Sequence, residues 1–347
     1  MFKLLRPLLF QLDEEVSHDV SIAALGCFGC APGSIRPLTG QGPAGRPVEL
    51  MGLQFPNRLG LAAGLDKDAQ AVEGLARLGF GFVEVGTVTP KAQPGNDKPR
   101  LFRLTRHQAI INRMGFNNQG VAAMTGRLEA VRRRNRLGGT LVGVNVGKNK
   151  DTPLECAVDD YVRCIEMVYP LADYLTINLS SPNTPGLRSL QSGDELERVL
   201  GGVAASREQL AVAHGRRVPL LVKVAPDLHR EDVVEVARAI KAHGIDGVIA
   251  TNTTVTRDGV ADSPVAAEAG GLSGRPLTIL ARQKVAEFRQ ALGGDIPLIG
   301  VGGIVDRLAG EAMFAAGADL LQIYSGFIYS GPGLIRDLVA GGQRSGG

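Results

Sequence analysis

Lysine and asparagine recur in this sequence where short apolar runs end. Lys67 follows Ala62-Ala63-Gly64-Leu65-Asp66, and Lys223 lies inside the run Leu220–Val224. Asn145, Asn178 and Asn252 close three other runs, with Asn112 and Asn183 nearby. A core avoids such groups unless they find partners or line a cavity. Two ammonium groups supply charge, and five carboxamides supply paired donors and acceptors without charge. That combination suits a planar heterocycle with imide-like edges; a flavin and a pyrimidine are both of that kind. Gly300-Val301-Gly302-Gly303 and Tyr324-Ser325-Gly326 can present backbone N–H groups to a phosphate. Glycine also closes tight turns, so these glycines alone decide nothing.

The elements that must position these groups follow a regular beat. Eight apolar, β-branched runs read as strands buried on both faces: Leu59–Ala63, Phe82–Val85, Leu141–Val146, Tyr174–Leu179, Leu220–Val224, Val248–Ala250, Pro297–Val301 and Leu320–Tyr324. Helical patterns separate them, at Ala69–Leu78, Gln119–Arg136, Val158–Tyr169, Glu195–His214, Asp232–His243, Ile279–Leu292 and Ala309–Ala316, with a last helix from about Leu334. Gly79, Gly215, Gly244 and Gly317 follow helices at the left-handed cap position. Eight βα units in order predict an α/β fold, a (β/α)8 TIM barrel, whose active site lies at the carboxyl ends of the strands. Periodicity does not prove closure, so an open doubly wound sheet is the alternative. All eight strand ends are polar or glycine-rich, including Gly86-Thr87, Asn178-Leu179-Ser180-Ser181 and Thr251-Asn252-Thr253. They read as a lined pocket; a set of satisfied loop caps is the plainer reading.

Composition excludes other classes. The chain has 347 residues, 44% hydrophobic and 21% charged, with net charge +3 and no Trp. The few aromatics do not interleave with basic residues, so no nucleic-acid partner is expected. Arg132, Arg133, Arg134 and Arg136 read as a solvated helix end. Four cysteines are too few for a disulfide scaffold, and Cys27 and Cys30 form a CxxC without a partner pair. The five His are scattered, so no metal is expected, and no GxSxG layout appears. No apolar run reaches the roughly 20 residues of a membrane span.

Four motifs carry a resemblance. Asn112-Arg113-Met114-Gly115-Phe116-Asn117-Asn118 and Asn178-Leu179-Ser180-Ser181-Pro182-Asn183-Thr184-Pro185-Gly186 resemble the two signatures of the dihydroorotate dehydrogenases. Ala62-Ala63-Gly64-Leu65-Asp66-Lys67 and Gly271-Leu272-Ser273-Gly274 match as well. The resemblance implies an FMN-binding TIM barrel, one FMN per chain, that oxidises dihydroorotate to orotate in pyrimidine synthesis. A base takes a proton from C5, and hydride leaves C6 for the flavin. Carried over by residue, it makes Ser181 the base. It assigns dihydroorotate to Lys67, Asn112, Asn178, Asn183, Asn252 and Thr253, with the backbone of Arg113, Met114, Gly115 and Phe116 closing one side. It assigns FMN to Ala63, Gly64, Thr87, Asn145, Asn178, Lys223, Thr251, Gly274, Gly303, Tyr324 and Ser325. Lys223 is a cation for the charge of the reduced ring.

The family divides by base and acceptor. Soluble members use a Cys base, whereas quinone-reducing members use Ser and carry a helical N-terminal extension. Here the motif holds Ser181, and two short apolar helices are expected at about Met1–Gln11 and Val16–Phe28. Too short to span a bilayer, they can lie in its interface and admit a quinone, ubiquinone or menaquinone; packing on the barrel floor is the alternative. His18 and Arg103 match positions of the family's quinone tunnel. The expected division is a helical extension over 1–30, a Gly/Pro-rich linker over 31–47, the catalytic barrel over 48–340 and a disordered tail over 341–347. With no Arg/Ser-rich transit peptide, the expected location is peripheral, on the cytoplasmic face of the inner membrane of a bacterium. A related barrel with NAD or fumarate as acceptor, and a membrane-surface protein that keeps the barrel as a scaffold, are the competing readings.

Overall fold

The structure is a computed structural model that describes residues 2–30 and 45–341. Most of the expected linker, all but the first residue of the expected tail and the Cys30 side chain lie outside the described residues.

Two helices come first, α1 (Phe2–Leu9) and α2 (Glu14–Cys30). A small hairpin follows, β1 (Val48–Leu50) with β2 (Leu53–Phe55). Eight strands then close a parallel barrel in chain order: β3 (Leu59–Leu61), β4 (Phe82–Val88), β7 (Leu141–Val146), β8 (Tyr174–Asn178), β9 (Leu220–Val224), β10 (Gly247–Ala250), β12 (Leu298–Val301) and β13 (Leu320–Ile323). These are the eight expected runs, within a few residues at each end, and closure removes the open-sheet alternative. The outer helices are α3 (Val72–Arg77), α4 (Val121–Arg134), α5 (Ala157–Val168), α6 (Gly193–His214), α7 (Arg230–Ala242), α8 (Thr278–Leu292), α9 (Arg307–Ala315) and α11 (Pro332–Gly341), with the short α10 (Ser325–Ser330) after the last strand. The expectations did not include α10. Nor did they include the hairpin or a three-stranded antiparallel sheet of β5 (Leu101–Leu104), β6 (Ala109–Asn112) and β11 (Gly271–Gly274).

Strand alternation sorts the side chains. On β8, Leu175 and Ile177 pack outward with the helices, while Tyr174 and Thr176 are buried on the other face. The lowest inner layer is apolar: Phe82, Tyr174, Leu221, Ile249, Ile299 and Leu320, plugged by Phe55 from the hairpin. Glycine makes room for the aromatics. A Cβ on Gly60 would lie 2.2 Å from the Phe82 ring, and one on Gly143 would lie 2.0 Å from that of Tyr174. Two residues further along the strands the inner layer turns polar, with Glu84, Asn145, Thr176, Lys223 and Gln322 all buried.

The extension packs beside the strand ends, against α3 and β5, and not on the floor. Its contact with α3 is backbone to backbone, since a Cβ on Gly74 would lie 2.0 Å from the Leu25 carbonyl oxygen. Leu5, Leu8, Leu12, Val16, Val20 and Phe28 are exposed on these two helices and their link. Among the described residues no helix is long and apolar enough to cross a membrane. In the arginine run Arg133, Arg134 and Arg136 are exposed and Arg132 is half-buried. Arg132 binds the Leu171 carbonyl and Asp173, and Arg134 pairs with the buried Glu73 at 2.9 Å.

Candidate active site

The strand ends open into one pocket of about 1000 Å³. It brings together Ser181, Lys67, Asn112, Met114, Gly115, Phe116, Asn178, Asn183, Asn252 and Thr253 with Ala63, Gly64, Thr87, Lys223, Thr251, Gly274, Gly303, Tyr324 and Ser325. Two expected residues do not line it. The Arg113 side chain turns outward, where Glu268 takes it at 2.6 Å and the Phe102 ring lies 4.6 Å away. Its backbone is held from behind: its N–H donates to the Arg100 carbonyl, and its own carbonyl accepts from Asn96 Nδ2. Asn145 lies one layer below. Its Oδ1 accepts from Thr87 Oγ1 at 2.6 Å and Asn178 Nδ2 at 3.2 Å, while its Nδ2 donates to Glu84.

Hydrogen bonds fix the asparagine amides. Asn178 donates to Thr87 Oγ1 at 2.9 Å, and its Oδ1 accepts from the Ser180 N–H and from Asn252. Asn252 also donates to Ser180 Oγ at 2.9 Å. Asn183 Nδ2 donates to Asn112 Oδ1 at 3.1 Å, joining the two signature loops. Ser181 is buried, and its Oγ accepts from the Asn183 backbone N–H at 3.3 Å. Arg188, absent from the expected set, ties the loops to each other. It donates to the Ser180 and Thr253 carbonyls and pairs with Asp227 at 2.8 Å.

Glu84 is the residue that sequence reasoning missed. It is fully buried beneath the pocket and accepts from Asn145, Tyr174, Thr176 and Gln322 at 2.8–3.2 Å. Lys223 Nζ lies 3.9 Å from its Oε1. Burial pulls the Lys223 pKa down, and the Glu84 charge opposes that. The signal was available: an acid inside one apolar run and a lysine inside another, on the same inner layer.

Lys67 is pulled down to about 8, first by burial and then by Arg100 nearby. It therefore stays charged at neutral pH.

A second cavity, of about 1030 Å³, lies between the extension and the barrel. Phe2, Leu9, Phe10, Ile22, Leu25, Leu65, Phe327 and Ile328 make it apolar, and both His18 and Arg103 line it. Arg103 lies 4.4 Å from the Phe10 ring centroid and donates to the Phe10 carbonyl at 3.1 Å. Burial, then the Lys67 charge, push the His18 pKa down to about 3, so its ring is neutral at physiological pH. Tyr324 lines both cavities.

The pocket fits a flavin phosphate and ring. Gln322 Oε1 and Thr253 Oγ1 are buried without a hydrogen-bond partner among the described residues, and both residues line it. At Gly303 the backbone runs against Thr278, where a Cβ would lie 2.2 Å from its Cα, leaving bare backbone at the rim. Lys223 is buried in the same lining, with its Nζ 3.9 Å from Glu84.

A closed barrel with a polar, glycine-rimmed pocket at its strand ends defines a TIM-barrel enzyme built to hold planar heterocycles. The comparisons with known proteins narrow the class. The dihydroorotate dehydrogenase model matches residues 47–341, and the chain belongs to that family, which is flavin-dependent. It is 53% identical over 339 residues to the dihydroorotate dehydrogenase (quinone) of Pseudomonas putida KT2440, covering 98% of each chain. The enzyme of that name from Aromatoleum aromaticum is 51% identical, over 98% of this chain and 94% of its own. DHODH from Eimeria tenella, solved in complex with ferulenol, superposes with a TM-score of 0.87 at 40% identity, covering 94% of this chain and 90% of the other.

Proposed function

We propose that this chain oxidises dihydroorotate to orotate in pyrimidine synthesis, using FMN, and delivers the electrons to a membrane quinone. The observation that carries the reading is the convergence of Ser181, Lys67 and four asparagines on one pocket that also contains Lys223.

Lys67 takes the substrate carboxylate as an ion pair, which its charge at neutral pH allows. Asn112, Asn178, Asn183 and Asn252 bind the ring amides, held in orientation by the bonds among them. Ser181 Oγ takes the C5 proton while its own hydroxyl proton is passed on through a relay to solvent, so the serine ends as it began. The Asn183 N–H aimed at that oxygen stabilises the negative charge it needs to act as a base. When bound, FMN would supply the acceptor for the C6 hydride and the two-electron link to the quinone. Thr87, Thr251, Gly274, Gly303, Tyr324, Ser325, Ala63 and Gly64 line the pocket and would hold that cofactor. Asn145 acts from beneath, through Thr87 and Asn178.

The cavity containing His18 and Arg103 is the quinone site, and the exposed apolar side chains of the extension rest on the membrane surface, on its cytoplasmic face. On this reading residues 1–30 serve the acceptor, 31–47 link, 48–340 catalyse and 341–347 form a tail.

The test is an absorbance spectrum of the purified protein, taken before and after anaerobic dihydroorotate and again after a quinone analogue. A yellow band that bleaches and then returns supports the whole cycle. A band that does not bleach removes the substrate assignment. Removing residues 1–30 should abolish quinone turnover and spare reduction of an artificial dye; surviving quinone turnover removes the acceptor assignment.

A further inference from the structure

The substrate loops are braced from outside the barrel, by a residue of the extension. Arg100 is buried on the approach to β5 and uses its whole guanidinium. Its Nε and NH2 grip the Glu15 carboxylate of α2 at 3.2 and 2.6 Å. Its NH1 donates to the carbonyls of Pro94 and Asn96 at 2.6 and 2.8 Å. Its own carbonyl accepts the Arg113 N–H at 2.8 Å. Gly95 lies against the guanidinium with φ +80, and a Cβ there would come within 2.9 Å of NH1.

Asn96 carries the brace inward. Its Nδ2 donates to the Arg113 carbonyl at 2.9 Å and to the Asn183 carbonyl at 3.1 Å. Its backbone N–H donates to the Met114 carbonyl at 3.0 Å. One loop carries Asn112 and the Gly115–Phe116 turn; the other carries Ser181 and Asn183. A short chain of bonds thus runs from α2 to both halves of the pocket.

Glu15 is held as an anion in this position. Burial pushes its pKa up, but Arg100 and Lys98 together keep it below the usual carboxylate range. A bidentate fork of this kind fixes orientation as well as charge.

We propose that Glu15 and Arg100 are positioning residues for the dihydroorotate site: through Asn96 they set the spacing of the Asn112–Phe116 and Ser181–Asn183 loops. The extension then serves both half-reactions, since the helix that lines the apolar cavity also shapes the substrate pocket. The inference rests on the reading of this pocket as the dihydroorotate site.

The test is orotate binding to the full-length protein by calorimetry, with dihydroorotate KM and kcat measured against an artificial dye so that the quinone plays no part. Glu15→Gln and Arg100→Lys are each expected to weaken orotate binding and raise KM about tenfold. Asn96→Ala should do the same, and combining it with Glu15→Gln should add less than the product of the single effects. Asp13→Ala is the control for loosened helix docking, because Asp13 caps α2 through the Glu15 and Val16 N–H groups and does not touch Arg100. Its orotate affinity should stay within twofold of the parent. Unchanged orotate binding in Glu15→Gln, or an equal loss in Asp13→Ala, overturns the proposal. A parent protein that binds no orotate at all instead overturns the reading of the pocket.

Discussion

Replacing Glu84 by Gln tests whether the floor of the pocket is an ion pair. The substitution preserves shape and removes one charge. Gln322 can turn its amide to offer Oε1, which has no partner among the described residues, to the new amide, so most of the hydrogen-bond geometry survives. What is lost is the attraction to Lys223 Nζ at 3.9 Å, about 4 kcal/mol at an effective dielectric of ~20. Breaking one side of a buried pair typically costs about 3–5 kcal/mol, because the other charge is left uncompensated. Glu84→Gln should therefore lower stability at pH 7 by roughly that amount, read as a urea midpoint at fixed flavin concentration. The sign with pH follows from Lys223. Burial already holds its folded pKa below the unfolded 10.5, and without Glu84 it falls further. The unfolded chain then binds the proton over a wider range, so stability of the variant rises with pH through that range. The deficit should be largest while Lys223 is charged in the parent, and should shrink as rising pH removes that charge and with it the attraction to Glu84. A loss below about 1 kcal/mol at pH 7, or a deficit independent of pH, would refute the ion pair.

Ser181→Ala should keep flavin and orotate binding and lose at least about a hundredfold in the rate of flavin bleaching by dihydroorotate, since a positioned base contributes on that order; stopped-flow absorbance checks it, and a parental rate removes Ser181 as the base. With Lys67 titrating at about 8, dihydroorotate KM should be flat below that pH and rise above it as the cation is lost, and Lys67→Gln should flatten the profile. His18 titrates at about 3, so quinone KM should show no break between pH 5 and 8; a break near the ordinary 6.5 would mean that the ring is solvated. Gly303→Ala forces a Cβ to within 2.2 Å of Thr278 in a left-handed backbone conformation with φ +67, and should yield protein with little bound flavin by absorbance ratio.

The barrel was readable because both faces of its strands are buried, which writes each as an unbroken apolar run. The same rule hid Glu84, which stands inside such a run and was passed over as part of it. The β5, β6 and β11 strands left no comparable signal. Each has four residues, and β11 pairs with β6 across some 160 positions of chain. Most pocket residues were found because the family motifs carry them, and two of the expected residues do not line the pocket. Arg113 points away because Glu268 and Phe102 offer its guanidinium a better place than the pocket does. Asn145 falls one inward step too low to line the cavity. The Glu15–Arg100 brace was invisible, because no spacing in the sequence relates position 15 to position 100.

Tyr324 is the partition between the two cavities, and this has a kinetic consequence. If the strand-end pocket holds dihydroorotate and the cavity under the extension helices holds quinone, the two never contend for the same space. Orotate still in place does not exclude the oxidant, so steady-state behaviour should be that of a two-site ping-pong enzyme. A molecule lodged beside His18 should lower the maximal rate without being displaced by dihydroorotate. The apolar lining can then change to suit a different quinone while the residues around Ser181 stay as they are.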